Sequence, residues 1–299
     1  MSLRPHTAIL CLVASLAGLA LVASCITPSP SAEGEASTAT GTVVEVEAEV
    51  EVEAVESASV PPITSPPFEG TVYISSEVLS PTSPSAFLDV TSAGVANWTT
   101  FDRRVNDWVT NPSRIFTATF SCGRESVDVI VNLEFTEQEA EYQAERFAFV
   151  LGQMPVGVRQ AVEEIWVHDG SESAGGGNRS ILVHTQEIDG VRDYLEEIFL
   201  HEAAHTTLDP AWGGVADATE WNLERAQDPT FISTYAEKNP DREDIAESYG
   251  AFIAWSVLTA QGLLPGTAAL VEGAIPHRLE FFEGLGPDYG PFTLLTCIG

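Results

Sequence analysis

His201-Glu202-Ala203-Ala204-His205 constrains this chain more than any other stretch. Histidines four apart lie on one helical face. A chain that uses both imidazoles on one ion must therefore hold this stretch as a helix. The run from about Val191 to Thr207 has the apolar periodicity that such a helix needs. Glu202 stands one step round the helix, where a carboxylate reaches a metal-bound water and acts as general base. The pattern predicts one Zn2+, with His201 and His205 as ligands and Glu202 as a catalytic residue. A catalytic zinc ion takes three protein ligands and keeps one position open, so a third donor must come from elsewhere.

Charge narrows the partners. The chain has 299 residues, with 13 Lys and Arg against 44 Asp and Glu, for a net charge of −31. Such a surface repels nucleic acid and anionic lipid, and neither is expected as a partner. Residues 1–24 read as an export signal: Arg4 opens it, and Ala8 to Ser24 is apolar or small without a charge. That stretch is short for a membrane span. It ends Val22-Ala23-Ser24-Cys25, which resembles the bacterial lipobox, where the cysteine is acylated and becomes the first residue. The other reading is an ordinary secretory cleavage with Cys25 incidental. The lipobox reading implies an exported cell-envelope lipoprotein, with Ile26 after the cysteine pointing to the outer membrane or cell surface, and a lipid anchor as the only membrane contact.

Residues 25–70 then form an acidic Ser/Thr/Pro/Ala/Glu segment. Its run from Val43 to Glu53 alternates valine or alanine with glutamate, and no basic residue lies between Cys25 and Gly70. As a strand it would put like charges along one face. It is expected to be a disordered tether, with the folded domain at 71–299.

The domain reads as α+β, a small mixed sheet followed by the motif helix and a second ligand helix. Asn97 to Val109 has near-helical spacing in Trp98, Phe101, Val105 and Trp108. Arg114–Phe120 and Val127–Phe135 are β-rich and joined by a short polar turn, a predicted hairpin. Glu137–Leu151 carries an apolar helical stripe, and Pro155–Glu164 reads as a shorter helix. Ile165–His168 and Ile181–His184 read as strands, with His168 and His184 in structural places and His184 nearer the cleft. The Gly-rich stretch 170–180 between them is either a plain strand connection or a close backbone approach to substrate. It lacks the strand-to-helix context of a phosphate loop, which excludes nucleotide binding. Asp217 is an expected N-cap, Thr230–Tyr235 a connector, Asn239-Pro240 the opening of a helix from Asp241 to Gln261, and Pro276–Glu283 a last amphipathic helix. Cys122 and Cys297 remain once Cys25 and the signal are set aside, and export makes a disulfide between them the expected state.

The third ligand has two candidate regions. Asp209 lies four residues past His205, a place that suits a helix-end group or a residue behind a ligand. Downstream stands Glu243-Asp244-Ile245-Ala246-Glu247. A helix with E-x-x-A-[D/E/N] some tens of residues after H-E-x-x-H resembles the second zinc helix of gluzincin metallopeptidases. The likeness covers roughly residues 181–260, and it implies a zincin-like metallopeptidase fold. It implies Glu243 as the third ligand and Glu247 behind His201. It also implies a tyrosine or histidine near Tyr235 that stabilises the oxyanion, which makes Tyr235 a second catalytic candidate. The expected substrate is a peptide or protein, added as an extra strand along Ile181–His184. An amide of cell-wall material and a binding lipoprotein with a vestigial metal site stay open as other readings. The sequence carries no signal for oligomeric state.

Overall fold

The computed structural model describes residues 63–297 apart from 74, 76, 77 and 191–193. The signal, Cys25 and most of the tether lie outside the described residues. Among those residues no helix is long and apolar enough to cross a membrane.

The fold is mixed α+β. Six strands form one sheet: β1 Phe87–Asp102, β2 Asp107–Phe120, β3 Ser126–Asn132, β4 Glu164–His168, β5 Gly175–Gly177 and β6 Ser180–His184. Their spatial order is β1-β2-β3-β4-β6-β5. The first three pair antiparallel, β3, β4 and β6 run parallel, and β5 closes the edge antiparallel to β6. The parallel pairs need crossovers. The β3–β4 crossover contains α1 (Glu137–Gly152) and the single turn α2 (Val156–Arg159). The start of α1 is fixed by a capping box in which the Thr136 hydroxyl accepts from Glu139 N–H and the Glu139 carboxylate accepts from Thr136 N–H. Its buried stripe of Ala140, Ala144, Phe147, Ala148 and Leu151 is the one that the periodicity marks out.

Seven further helices follow among the described residues: α3 Thr185–Gly190, α4 Leu195–Thr207, α5 Ala218–Gln227, α6 Thr234–Lys238, α7 Asp244–Gln261, α8 Pro265–Ala274 and α9 Pro276–Gly284. They pack on one face of the sheet. There Val127, Val129, Val131, Ile165, Val167, Ile181 and Val183 join Phe147, Phe199 and Phe282 in a single core.

The other face carries a smaller cluster of Ile115, Ile130, Trp166 and Leu182, covered by Trp98 and Phe101. The cover comes from the β1–β2 hairpin itself. Its strands pair out to Asp102↔Asp107, whereas β3 pairs with β2 only from Ser113 onward. The distal half of the hairpin folds back over the sheet. The Trp98 indole donates to Glu164 at 3.1 Å, and the rings of Trp108 and Trp166 meet edge to face at 5.4 Å. Residues 97–109 are thus not a helix. Phe101 and Trp108 are cross-strand partners, and that pairing, not a helical repeat, generates their spacing.

Three other expectations change. Helix α7 begins at Asp244, because the Asn239 carbonyl accepts from the N–H groups of both Arg242 and Glu243 and residues 239–243 form a turn. The stretch expected as a connector contains α6, capped by the Ser233 hydroxyl. The folded part also reaches ahead of Thr71. Phe68 exchanges backbone hydrogen bonds with Ile232 and Thr234, at 3.3 and 2.9 Å, and Ile63 packs on the core.

Cys122 and Cys297 form a disulfide with Cα atoms 5.2 Å apart, closing a loop with a sequence separation of 175. Chain-entropy reasoning gives a loop of that size up to about 5 kcal/mol, and native cross-links usually deliver about 2–5 kcal/mol. The double variant Cys122→Ser/Cys297→Ser is therefore expected to melt about 5–15 °C lower by calorimetry. An unchanged Tm would show that the bridge contributes nothing to stability.

Candidate metal centre

Helix α4 presents His201 and His205 from one face, and α7 is preceded by Glu243. The three donor atoms meet. His205 Nε2 lies 3.2 Å from His201 Nε2 and 3.1 Å from Glu243 Oε2, and His201 Nε2 lies 3.4 Å from the same oxygen. A cation bonded to nitrogen and oxygen donors at about 2.0–2.2 Å in a tetrahedral array holds them roughly 3.2–3.6 Å apart. The observed triangle fits that separation. Among the described residues, these three form the group able to hold a metal ion.

The far sides of the rings explain their orientation. His201 Nδ1 faces Glu247 Oε1 at 3.5 Å, and His205 Nδ1 faces Asp209 Oδ2 at 3.5 Å. A carboxylate behind a ring keeps the proton on Nδ1 and leaves the Nε2 lone pair aimed inward. Three acceptors then point at one spot, a repulsive arrangement unless a cation sits among them. A proton feels the same pull. Against its burial, the carboxylates of Asp209 and Glu243 raise His205 to about 10. Against burial that pushes the other way, the two imidazoles hold Glu243 well below the usual carboxylate range.

The carboxylates behind the rings are themselves anchored. Glu247 Oε2 accepts from Val72 N–H at 2.8 Å and from the Ser233 hydroxyl at 2.7 Å. Asp209 Oδ1 accepts from Ala211 N–H at 2.8 Å and caps the 3-10 turn that ends the metal helix. Asp209 thus stands behind His205 rather than among the ligands.

Glu202 and Tyr235 join the three donors around a cleft of about 310 Å3. Tyr235, on α6, is raised above its ordinary value by partial burial and by the charge and hydrogen bonding of Glu243. The phenol and the ligand carboxylate are therefore neighbours. Four residues on the same cleft were not singled out by sequence: Tyr73, Arg103, Trp212 and Arg242. The Tyr73 phenol is pushed up to about 12 by burial and then by Glu247 and Glu202. No local pattern points to Tyr73 or Arg103, because each arrives from a segment about a hundred or more residues before the motif. Arg242 adjoins Glu243 and was within reach of the sequence.

Two expectations about the cleft are corrected. His184 does not line it. It is fully buried and stacks on His168 with ring centroids 5.6 Å apart. Burial depresses both imidazoles, His168 to about 4. The edge strand is β5 rather than Ile181–His184, since β6 lies between β4 and β5.

The glycines of β5 belong to the site. A Cβ on Gly176 would stand 2.1 Å from the backbone oxygen of Glu202, one on Gly177 2.9 Å from the Trp212 ring, and one on Gly175 2.5 Å from the Arg103 guanidinium. Thr206 stitches this strand to the metal helix: its hydroxyl accepts from Gly177 N–H at 2.9 Å and donates toward Ser180 O at 3.0 Å. Both readings of the Gly-rich stretch meet here. It is a strand connection, and its backbone does approach something closely, namely the metal helix.

Three variants test the centre and the strand packed against it. Glu243→Ala is expected to strip the metal from a protein that otherwise carries about one ion per chain, read by mass spectrometry. Glu247→Gln is expected to weaken metal affinity about 10–100-fold by chelator competition. Gly176→Ala is expected to destabilise the fold by about 1–3 kcal/mol in urea melts, because backbone has to move. Full retention of metal by Glu243→Ala would remove that residue from the ligand set. Comparison with protein-family models, with curated proteins and with solved structures finds no match to this chain.

Proposed function

We propose that this chain is a zinc-dependent peptidase of zincin-like fold, close in plan to the gluzincins. The observation that carries the reading is the triangle of His201, His205 and Glu243, each imidazole backed by a carboxylate, with Glu202 on the same cleft. Two imidazoles and one carboxylate are a donor set that suits zinc. When bound there, the ion supplies Lewis acidity, lowering the pKa of water and polarising a carbonyl.

The chain's own residues divide the remaining work. Glu202 takes a proton from the water that attacks the scissile carbonyl. A carbon–oxygen bond forms, the carbon–nitrogen bond breaks, and Glu202 returns the proton to the leaving amine. Tyr235 donates its hydroxyl proton in a hydrogen bond to the carbonyl oxygen as charge builds there. Gly176 of β5 lines the cleft and brings backbone alongside an extended peptide bound there.

In the same proposal the enzyme is exported and held at the bacterial envelope through lipidated Cys25, its tether spacing the domain from the membrane. The Cys122–Cys297 disulfide supports an oxidising compartment.

Glu202→Gln is expected to lower hydrolysis of casein-derived peptides by at least about a hundred-fold while metal content stays at the wild-type level. Turnover retained in this variant would end the general-base assignment. Cleavage of peptidoglycan fragments without cleavage of peptides would move the substrate to cell-wall amides.

A further inference from the structure

The cleft of this acidic chain is lined by two arginines that have no carboxylate partner among the described residues. Of 13 Lys and Arg set against 44 Asp and Glu, most described arginines are neutralised by carboxylates. Arg104, Arg124, Arg146, Arg179, Arg225 and Arg278 each form an ion pair. Arg103 and Arg242 form none among the described residues, and both line the metal cleft. Arg114, Arg159 and Lys238 also lack a carboxylate, but they do not line it.

The two arginines arrive on separate elements. Arg103 sits at the tip of the folded-back β1–β2 hairpin. Its neighbour Arg104 pins that tip to Asp102, to Glu134 and to the Asp169 carbonyl. Arg103 then lies over Gly175 of the edge strand, with Nη1 donating to the Ser173 hydroxyl at 2.5 Å. Arg242 stands in the turn before α7, one residue ahead of the ligand Glu243. Both guanidinium groups are exposed and line the cleft without a carboxylate partner among the described residues.

We infer that the cleft recognises an acidic peptide, with Arg103 and Arg242 taking its carboxylates. This rests on the peptidase reading above and names its substrate class. Guanidinium forks match carboxylates in shape and charge. They also give an anionic peptide a local foothold on a protein whose overall field repels it. Glu187 lines the same cleft, so a basic peptide is the rival occupant, and the comparison must include it.

The test is equilibrium binding to the full chain carrying Glu202→Gln, so that a bound peptide is not consumed. The probes are fluorescein-labelled decapeptides of one background sequence with two Glu, two Gln or two Lys. The Glu peptide is expected to bind about tenfold or more tighter than the Gln peptide, and the Lys peptide most weakly. Raising salt from about 50 to 500 mM should shrink the gap. Arg103→Gln and Arg242→Gln should each cut it about five-fold, while Arg242→Lys keeps most of it. Both side chains are exposed, and circular dichroism checks that the variants stay folded. Equal affinities, preference for Lys, no binding of any peptide, or Arg variants with an undiminished gap would each overturn the inference. Hydrolysis by the wild-type chain is scored separately. Binding with the expected charge order but no cleavage sinks the peptidase reading alone, and cleavage without charge preference sinks this inference alone.

Discussion

Three donors converge on one point only if α4 and α7 are fixed in separation and rotation, and a buried arginine holds the start of α7. Arg278, at the start of α9, is 1% exposed. Its Nε pairs with Asp228 Oδ2 at 2.7 Å, and the guanidinium also holds Asp244 and the Thr230 carbonyl. Asp228 accepts in turn from the N–H groups of His277 and Arg278, capping α9. One cation thus ties together the end of α5, the first residue of α7 and the start of α9. Asp244 is the residue next to Glu243, so fixing it fixes the backbone that carries the third ligand. Removing one partner from a buried pair of this kind costs about 3–5 kcal/mol, because the other charge is left stranded. The position of Glu243 in the donor triangle depends on this contact.

The segment before the sheet braces the carboxylate behind His201. Its backbone at Phe68 joins Ile232 and Thr234, and Val72 N–H fills Glu247 Oε2. Glu247 is thereby held with its second oxygen turned to His201. A stretch expected to be the end of a tether is in part a brace for a ligand. Several layers of the molecule, from residue 68 to residue 278, serve the placement of two imidazole rings.

What could be read from sequence follows from how local each signal is. The spacing of His201 and His205 is a property of one helix, and so is the capping box at Thr136 and Glu139. Both are visible without tertiary structure. Glu243 and Glu247 became legible through a resemblance, since an acid near a helix start has a plainer explanation in the helix dipole. The geometry that brings them behind and beside the histidines is a fact of packing. The hairpin was misread over residues 97–109 because cross-strand partners around a tight turn mimic a helical stripe. The brief strand β5 escaped notice because three glycines have no alternation to detect. Arg103 and Tyr73 were out of reach for a simpler reason: nothing near them in the chain speaks of the cleft to which folding carries them.

That glycine strand has a consequence for how such a cleft can change. Its wall has no side chains of its own, and any added there would strike the metal helix, Trp212 or Arg103. Selectivity along this side is therefore written by whatever the hairpin tip lays across bare backbone. Arg104 anchors the tip through two carboxylates and a carbonyl, whereas Arg103 adds one hydrogen bond to Ser173, so the residue that touches the cleft carries the smaller share of holding the loop. The arrangement works like a fixed frame with an exchangeable lining, in which a single loop position can be re-specified while the sheet and the metal helix stay as they are.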